Sequence, residues 1–239
     1  KTSDDKSVII ENLIKVTGIG PSKAMKLFNE GVTLEKLLLI DLENPDSDSL
    51  NLLNTLSHHQ ILGIKYYHHL EKRIPYGEIT KIEEYLKNEI KKIETDLEIV
   101  ICGSYRRQKK NSGDIDVLIY HNKLKTKKDT EKAIYLYNFL EHLTNNNFIV
   151  DNLTSIDNPT KYMGFCQLKG HKYVRRIDIR MIGYESLATA LMYFTGSGDF
   201  NKNMRTYALT KGFTLNEYGL YKLKEKTKIF KIKTESEKD

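Results

Sequence analysis

Asp114 and Asp116 lie two residues apart in the run Gly113-Asp114-Ile115-Asp116-Val117-Leu118-Ile119-Tyr120. On an extended strand that spacing sends both carboxylates to one face and Ile115 and Val117 to the other. Two adjacent carboxylates repel unless a cation lies between them, and hard oxygen donors of this kind suit Mg²⁺. Upstream, Gly103-Ser104 ends an apolar stretch over 97–102, where a turn without a Cβ brings N–H groups and a hydroxyl close to a phosphate. A third carboxylate, Asp178, stands in Arg175-Arg176-Ile177-Asp178-Ile179-Arg180. Alternation puts Arg176, Asp178 and Arg180 on one strand face and Ile177 and Ile179 on the other. Three carboxylates on neighbouring strands would hold two Mg²⁺ ions, the arrangement used for in-line phosphoryl displacement. Asp-x-Asp alone is commonly a solvated strand end. Joined to Gly-Ser and a third acid, it implies nucleotidyl transfer.

The elements that must position these residues follow from periodicity. Residues 6–72 read as helical, with Val8, Ile9, Leu13 and Ile14 suited to a core face. Thr17-Gly18-Ile19-Gly20-Pro21-Ser22 breaks that helix, and a second runs over 22–29, with Pro21 suited to its first turn. Two helices joined by a Gly-x-Gly turn form a helix-hairpin-helix, whose amides grip a phosphate without reading a base; an ordinary helix connection is the alternative. Residues 41–55 read as a polar surface loop, and Ser57 with Gln60 forms a capping box opening a helix to about Lys72. Its histidines, His58, His59, His68 and His69, are read as surface or packing residues. Ile79, Ile82, Leu86, Ile90 and Ile93 predict an amphipathic helix over 77–95. Strands are predicted at 97–102, 114–120, 148–151, 161–168 and 172–182, with a basic link of Arg106, Arg107, Lys109 and Lys110 between the first two. A helix over 128–143 offers Ala133, Ile134, Leu136, Tyr137 and Leu140 to a core. Helices follow at 184–194 and 199–211, with Gly212 as the stop, then short strands at 213–216 and 219–223. From Lys224 the tail alternates Lys with Ile and Phe before becoming wholly polar.

The chain of 239 residues carries 38 Lys+Arg against 32 Asp+Glu, a basic balance that permits a nucleic-acid partner. No apolar run is long enough to span a bilayer, so no membrane partner is expected. Cys102 and Cys166 are read as buried, reduced thiols, which places the protein inside the cell.

The sequence resembles the family X DNA polymerases from about Val16 to Asp239. The carriers are Val16-Thr17-Gly18-Ile19-Gly20-Pro21-Ser22, Glu71-Lys72-Arg73-Ile74-Pro75, Cys102 through Asp116, Arg175 through Arg180, and Tyr193-Phe194-Thr195-Gly196-Ser197. Phe200-Asn201-Lys202-Asn203-Met204-Arg205 and Leu215-Asn216-Glu217-Tyr218 complete the series. The resemblance implies an α+β fold: a thumb-like helix-hairpin-helix DNA-binding subdomain (1–75), a nucleotidyltransferase palm (76–184) and a small α/β nucleotide-binding subdomain (185–239). It implies that Asp114 and Asp116 bridge two Mg²⁺ ions, or Mn²⁺, and that Asp178 holds the catalytic ion and helps remove the primer 3′-hydroxyl proton. Arg73, Gly103, Ser104, Arg107 and Gly113 are then expected at the dNTP triphosphate. Tyr193, Phe194, Gly196 and Asn201 are expected at its sugar and base, although Tyr193 and Phe194 could be plain core. Gly18, Gly20, Ser22, Lys23, Arg176, Lys202 and Arg205 are expected at DNA, with a solvated basic face as the alternative for Lys202 and Arg205. Arg180 is expected to exchange partners between open and closed states, with Glu217 as one of them. The carbonyls of Ile14, Val16 and Ile19 are expected around Na⁺ or K⁺.

The implied activity is templated addition of dNTPs to primed or gapped DNA by a monomer, in short-gap and base excision repair, in the nucleus of a eukaryotic cell. Template-independent terminal transfer and non-catalytic binding of DNA ends are the rivals. The short segment between Asn152 and Lys161 and the presence of all three acids count against them. The family's lyase domain has no match in residues 1–15, and relatives continue beyond Glu235-Ser236-Glu237-Lys238-Asp239, so a fragment of a longer protein is expected. Gly198 stands where relatives carry an acidic residue.

Overall fold

Short amphipathic segments broken by Gly, Pro and capping residues dominate the first third of the chain, and they fold as a unit of their own. The structure, a computed structural model, describes residues 3–224 and 227–239, which divide into two compact units, Lys1–Lys72 and Arg73–Asp239. In the first, α1 (Ser3–Ile14) and α2 (Pro21–Asn29) flank a turn, with Pro21 in the first turn of α2 as expected. Then come α3 (Leu34–Leu38), α4 (Ser47–Leu53), α5 (His58–Lys65) and α6 (Tyr67–Leu70). Leu13, Val16, Ile19, Ala24, Leu27 and Leu37 form the centre of their core. Val8 and Ile14 are exposed, so the core stripe of α1 is narrower than its sequence suggests.

The capping box forms: Ser57 Oγ accepts from the Gln60 amide at 3.2 Å, and Gln60 Oε1 accepts from the Ser57 amide at 3.0 Å. The helix it opens ends at Lys65 rather than near Lys72, and the break lets the adjacent Tyr66 and Tyr67 both be buried. The expected loop over 41–55 contains α4 instead. Asp46 caps it by accepting from the Ser49 amide at 2.7 Å, and Leu53 anchors it in the core. Among the described residues the four histidines contribute to no metal-binding cluster.

The second unit contains β1 (Ile74–Pro75), α7 (Tyr76–Ile90), β2 (Leu97–Ile101), α8 (Gly103–Arg106), β3 (Asn111–Ser112) and β4 (Ile115–His121). It continues with α9 (Lys127–Lys132), α10 (Tyr135–Asn145), β5 (Ile149–Asn152), β6 (Lys161–Cys166) and β7 (Arg175–Met181). Five strands form one sheet in the order β2-β4-β7-β6-β5, in which only the central β4–β7 pair is parallel. Ile79, Ile82, Leu86 and Ile90 of α7 pack with Leu136, Phe139, Leu140 and Leu143 of α10 against one face of it. The helix expected over 128–143 is two helices. Ala133 is extended between them (φ −78°, ψ 143°), and Ile134 is exposed because the apolar stripe of α10 begins at Leu136. Cys102 and Cys166 are buried free thiols; loss of solvent pushes Cys102 up to about 12, so it carries no thiolate at neutral pH.

The chain then forms α11 (Leu187–Thr195), α12 (Gly198–Thr210), β8 (Phe213–Asn216), β9 (Gly219–Lys224) and β10 (Thr227–Ile232). The last three make an antiparallel sheet in the order β10-β9-β8. β10 is a strand where only a tail was expected, although its alternation was visible. Glu225 and Lys226 of that tail, like Lys1 at the other end, lie outside the described residues. Among the described residues no helix is long and apolar enough to cross a membrane.

The hairpin turn of the first unit rests on α5. A Cβ on Gly63 would collide with the Thr17 carbonyl oxygen, and Gln60 Nε2 donates to the Gly18 carbonyl at 3.0 Å. Gly63→Ala should therefore destabilise residues 1–72 by about 1–3 kcal/mol. Native-state hydrogen exchange should show the loss in helical-unit amides and leave the sheet amides of 73–239 unchanged.

Candidate active site

Parallel pairing of β4 and β7 sets Asp116 directly opposite Asp178. Asp114 stands just before β4, and carboxylate oxygens of all three lie within 4.8 Å of one another. Their neighbours Ile115, Val117, Ile177 and Ile179 are buried, so the alternation that hides these side chains turns the carboxylates to the open face. Loss of solvent, followed by the charges of Asp114 and Asp178, pushes Asp116 up to about 7 against the opposing Arg176 and Arg180. Asp114 keeps an exposed surface, yet the surrounding protein and then Asp178 raise it as well. A divalent cation would relieve such crowding, and the all-oxygen donor set fits Mg²⁺.

The turn out of β2, where the sequence places the triphosphate, borders the three acids. Gly103 has φ +63°, and a Cβ there would stand 2.5 Å from Asp116 Oδ2, so glycine is required for both reasons. Ser104 Oγ accepts from Arg107 Nη2 at 3.2 Å, and Arg107 Nη1 donates to the Thr195 carbonyl. Gly196 lies against the same guanidinium, where its Cβ would stand 3.1 Å from Arg107 Nη1. Arg106 binds Thr195 Oγ1 at 2.8 Å and pairs with Glu237 at 2.5 Å. Arg73, which the expected boundary at 75 put in the helical subdomain, opens the second unit instead, where its Nε donates to Asn111 Oδ1 at 2.9 Å and its Nη1 would lie 3.2 Å from a Cβ on Gly113.

Arg176 is turned onto the carboxylates. Its Nη2 pairs with Asp178 Oδ1 at 2.7 Å and its Nη1 donates to the Gly164 carbonyl at 2.5 Å. Tyr193 and Phe194 meet edge to face at 4.9 Å, and Asn201 Nδ2 donates to the Tyr193 carbonyl at 2.7 Å. Arg180 lies 4.8 Å from the Phe194 ring, whereas Glu217 pairs with Arg205 at 3.4 Å, and Arg205 also lies 4.7 Å from the Tyr193 ring. Lys202 is exposed on α12. A cavity of about 300 Å³ beside the carboxylates is lined by Asp116, Asp178, Arg180, Phe194, Asn158 and Lys161. Asn158 and Lys161 carried no sequence signal. Nor did Ser112, beside Gly113, whose buried hydroxyl has no partner among the described residues.

In the helical unit, Gly18 has φ +90° and Gly20 caps α2 without a side-chain hydrogen bond, leaving first-turn amides available; Ser22 lies in that turn. Lys23 Nζ folds back onto the Thr55 carbonyl at 2.7 Å and Lys15 Nζ onto Asn12 at 3.0 Å. Of the carbonyls expected around a monovalent ion, that of Val16 accepts the Ile19 amide at 3.0 Å, and those of Ile14 and Ile19 flank the same turn. A second group, Glu94, Asp96 and His121, was not foreseen. His121 Nδ1 accepts the Lys123 amide at 3.1 Å, which puts the ring proton on Nε2 and leaves no second lone pair for a metal.

Residues 73–184 match the family model described as DNA polymerase beta palm, and residues 190–239 match DNA polymerase beta thumb. The thumb description falls on the segment read from sequence as nucleotide-binding, not on the helical unit. DNA polymerase lambda of Rattus norvegicus is 31% identical over 220 residues, which cover 90% of this chain and 35% of that protein. DNA polymerase lambda of Arabidopsis thaliana is 32% identical over 228 residues, covering 92% and 40%. DNA nucleotidylexotransferase of Xenopus laevis is 26% identical over 269 residues, covering 99% and 50%. The chain thus spans between about a third and a half of the length of these relatives.

The raised Asp116 makes a prediction about the metal-free protein. Unfolded, the group titrates near 3.8; folded, near 7, so between those values the folded state holds the extra proton. Stability should therefore fall as pH rises from about 4 to about 7 and level off above. Asp116→Asn should flatten that slope and stabilise the metal-free fold at pH 7.5 by about 1–3 kcal/mol. Urea unfolding in chelator at pH 5 and 7.5 checks both.

Proposed function

The chain belongs to the DNA polymerase beta family, the family X polymerases, and from that premise we propose that it is a template-directed DNA polymerase adding dNTPs to a primer 3′-hydroxyl. The observation that carries this reading is the placing of Asp116 opposite Asp178 with Asp114 alongside, next to Ser104, Arg107 and Arg73. Asp114, Asp116 and Asp178 would hold divalent ions, Mg²⁺ as proposed or Mn²⁺ as the alternative, which would supply charge neutralisation and a lowered pKa at the primer hydroxyl. Ser104, Arg107 and Arg73 hold the triphosphate, with Gly103 and Gly113 letting it approach the backbone. Arg176 occupies one oxygen of Asp178, leaving Oδ2 to receive the primer hydroxyl proton. Its place there supports orientation of the catalytic acid rather than a DNA contact.

Tyr193, Phe194 and Asn201 form the sugar and base side, Gly196 closes the turn beside them, and Lys202 and Arg205 face DNA. Glu217 holds Arg205 in this state, and transfer of Glu217 to Arg180 is the proposed change on closing. The α1–α2 hairpin, through Gly18, Gly20, Ser22 and Lys23, binds a duplex phosphate. The carbonyls of Ile14, Val16 and Ile19 seat Na⁺ or K⁺ there. The subdomains proposed are a helix-hairpin-helix unit that ends at Lys72 rather than at residue 75, a palm on to 184 and a nucleotide-binding part over 185–239, acting as a monomer in short-gap repair, nuclear in a eukaryotic cell.

Primer extension on gapped DNA with single dNTPs tests the activity. Templated incorporation is expected, and equal use of all four dNTPs whatever the template would transfer the assignment to terminal transferase. Asp178→Ala should lower kcat at least about 10³-fold while dNTP affinity stays within a few-fold; normal turnover would sink the three-carboxylate site. Replacing Gly18 and Gly20 with Val should weaken binding of primed duplex whatever its sequence, with a smaller salt slope by fluorescence anisotropy. An unchanged affinity would leave the hairpin as a structural turn.

A further inference from the structure

β7 carries two adjacent arginines on opposite faces. Arg176 serves Asp178 on the open face; Arg175, only 4% exposed, lies on the buried one. Arg175 Nε donates to Glu78 Oε2 at 2.7 Å, and its Nη1 reaches the Arg73 carbonyl at 3.5 Å. The other Glu78 oxygen meets His171 Nδ1 at 2.9 Å. Glu78 stands in the first turn of α7, where the helix dipole favours its charge. A guanidinium so deeply buried holds a fixed position only with a carboxylate across it, and its planar fork lets it serve two acceptors at once.

Arg73 is therefore restrained from both ends. Its backbone is held by Arg175 and by pairing of Ile74 with Ser112, and its side chain by Asn111. Two of these restraints, Asn111 and Ser112, lead directly into Gly113 and Asp114. We propose that the Glu78–Arg175 ion pair, braced by His171, is a positioning device for Arg73 that sets where its guanidinium meets the dNTP triphosphate. The proposal rests on the triphosphate role given to Arg73 above. The 3.5 Å contact is long for a hydrogen bond, and its effect is to limit backbone movement rather than to add affinity. One strand thereby places the catalytic acid through one face and the phosphate-binding arginine through the other.

Steady-state kinetics of the full chain on primed template test this. Glu78→Gln keeps the shape and removes the charge, and should raise the dNTP KM about five- to tenfold with kcat within about twofold and DNA affinity unchanged. Arg73→Ala should raise KM at least as much. The double variant should be no worse than Arg73→Ala alone, because no guanidinium remains to be placed. Additive losses, or a fall in kcat at constant KM, would reduce the pair to an ordinary structural ion pair and overturn the proposal. Arg73→Ala with an unchanged KM would instead overturn the triphosphate role of Arg73, a separate result. Should Glu78→Gln not fold, Arg175→Lys decides: it keeps a charge opposite Glu78 but loses the fork to Arg73. A raised dNTP KM at unchanged melting temperature is expected, and an unaltered KM would overturn the proposal.

Discussion

Three carboxylates held within 4.8 Å repel one another, and the second unit is arranged to bear that repulsion. At an effective dielectric near 20, each close pair of full charges costs roughly 3 kcal/mol. The register of β4 and β7 prevents relief by separation, because Asp116 and Asp178 sit opposite each other on strands pinned by α7 and α10. Relief comes partly from Arg176 and Arg180, and partly from the proton that Asp116 retains. A divalent cation among the three acids would relieve the repulsion that remains.

That constraint divides the two faces of the sheet. One buries Ile99, Ile101, Ile115, Ile119, Ile177 and Ile179 of β2, β4 and β7 under two helices; the other presents Asp116, Arg176, Asp178 and Arg180 beside a smaller cluster of Leu118, Ile182 and Ala190. The parallel pair lies in the middle, where neither strand can slip without flipping every side chain to the wrong face. Gly103 then closes the approach from β2, since any side chain there would meet Asp116. The turn out of β2 and the three acids are thus coupled by contact.

The C-terminal segment is joined to the cleft by polar links. Arg106 and Arg107 both reach Thr195 at the end of α11, and Arg106 also pairs with Glu237. Glu217, Arg205 and Tyr193 form a second group, with Arg180 and Phe194 beside it. Such exposed and half-exposed pairs are individually weak and cheap to exchange for other partners.

Local chemistry determined much of this protein from its sequence. The 3.6-residue stripe from Ile79 to Ile90, the strict alternation of β7, the Ser57–Gln60 capping box and the Asp-x-Asp pair are patterns whose cause lies within a few residues, and each appears as read. Local reading failed where a short cap was outvoted by polar composition, as at Asp46 before α4, and where an apolar stripe changed phase, as at Ala133. Only the tertiary structure decided which acid faces which, because pairing of β4 with β7 joins residues 62 positions apart at Asp116 and Asp178. It also decided the division of labour between Arg175 and Arg176. Neighbouring residues on a strand point to opposite faces, and the partner of Arg175 is Glu78, 97 residues away. Spacing along the chain fixes which face a side chain takes; what waits on that face is set by packing.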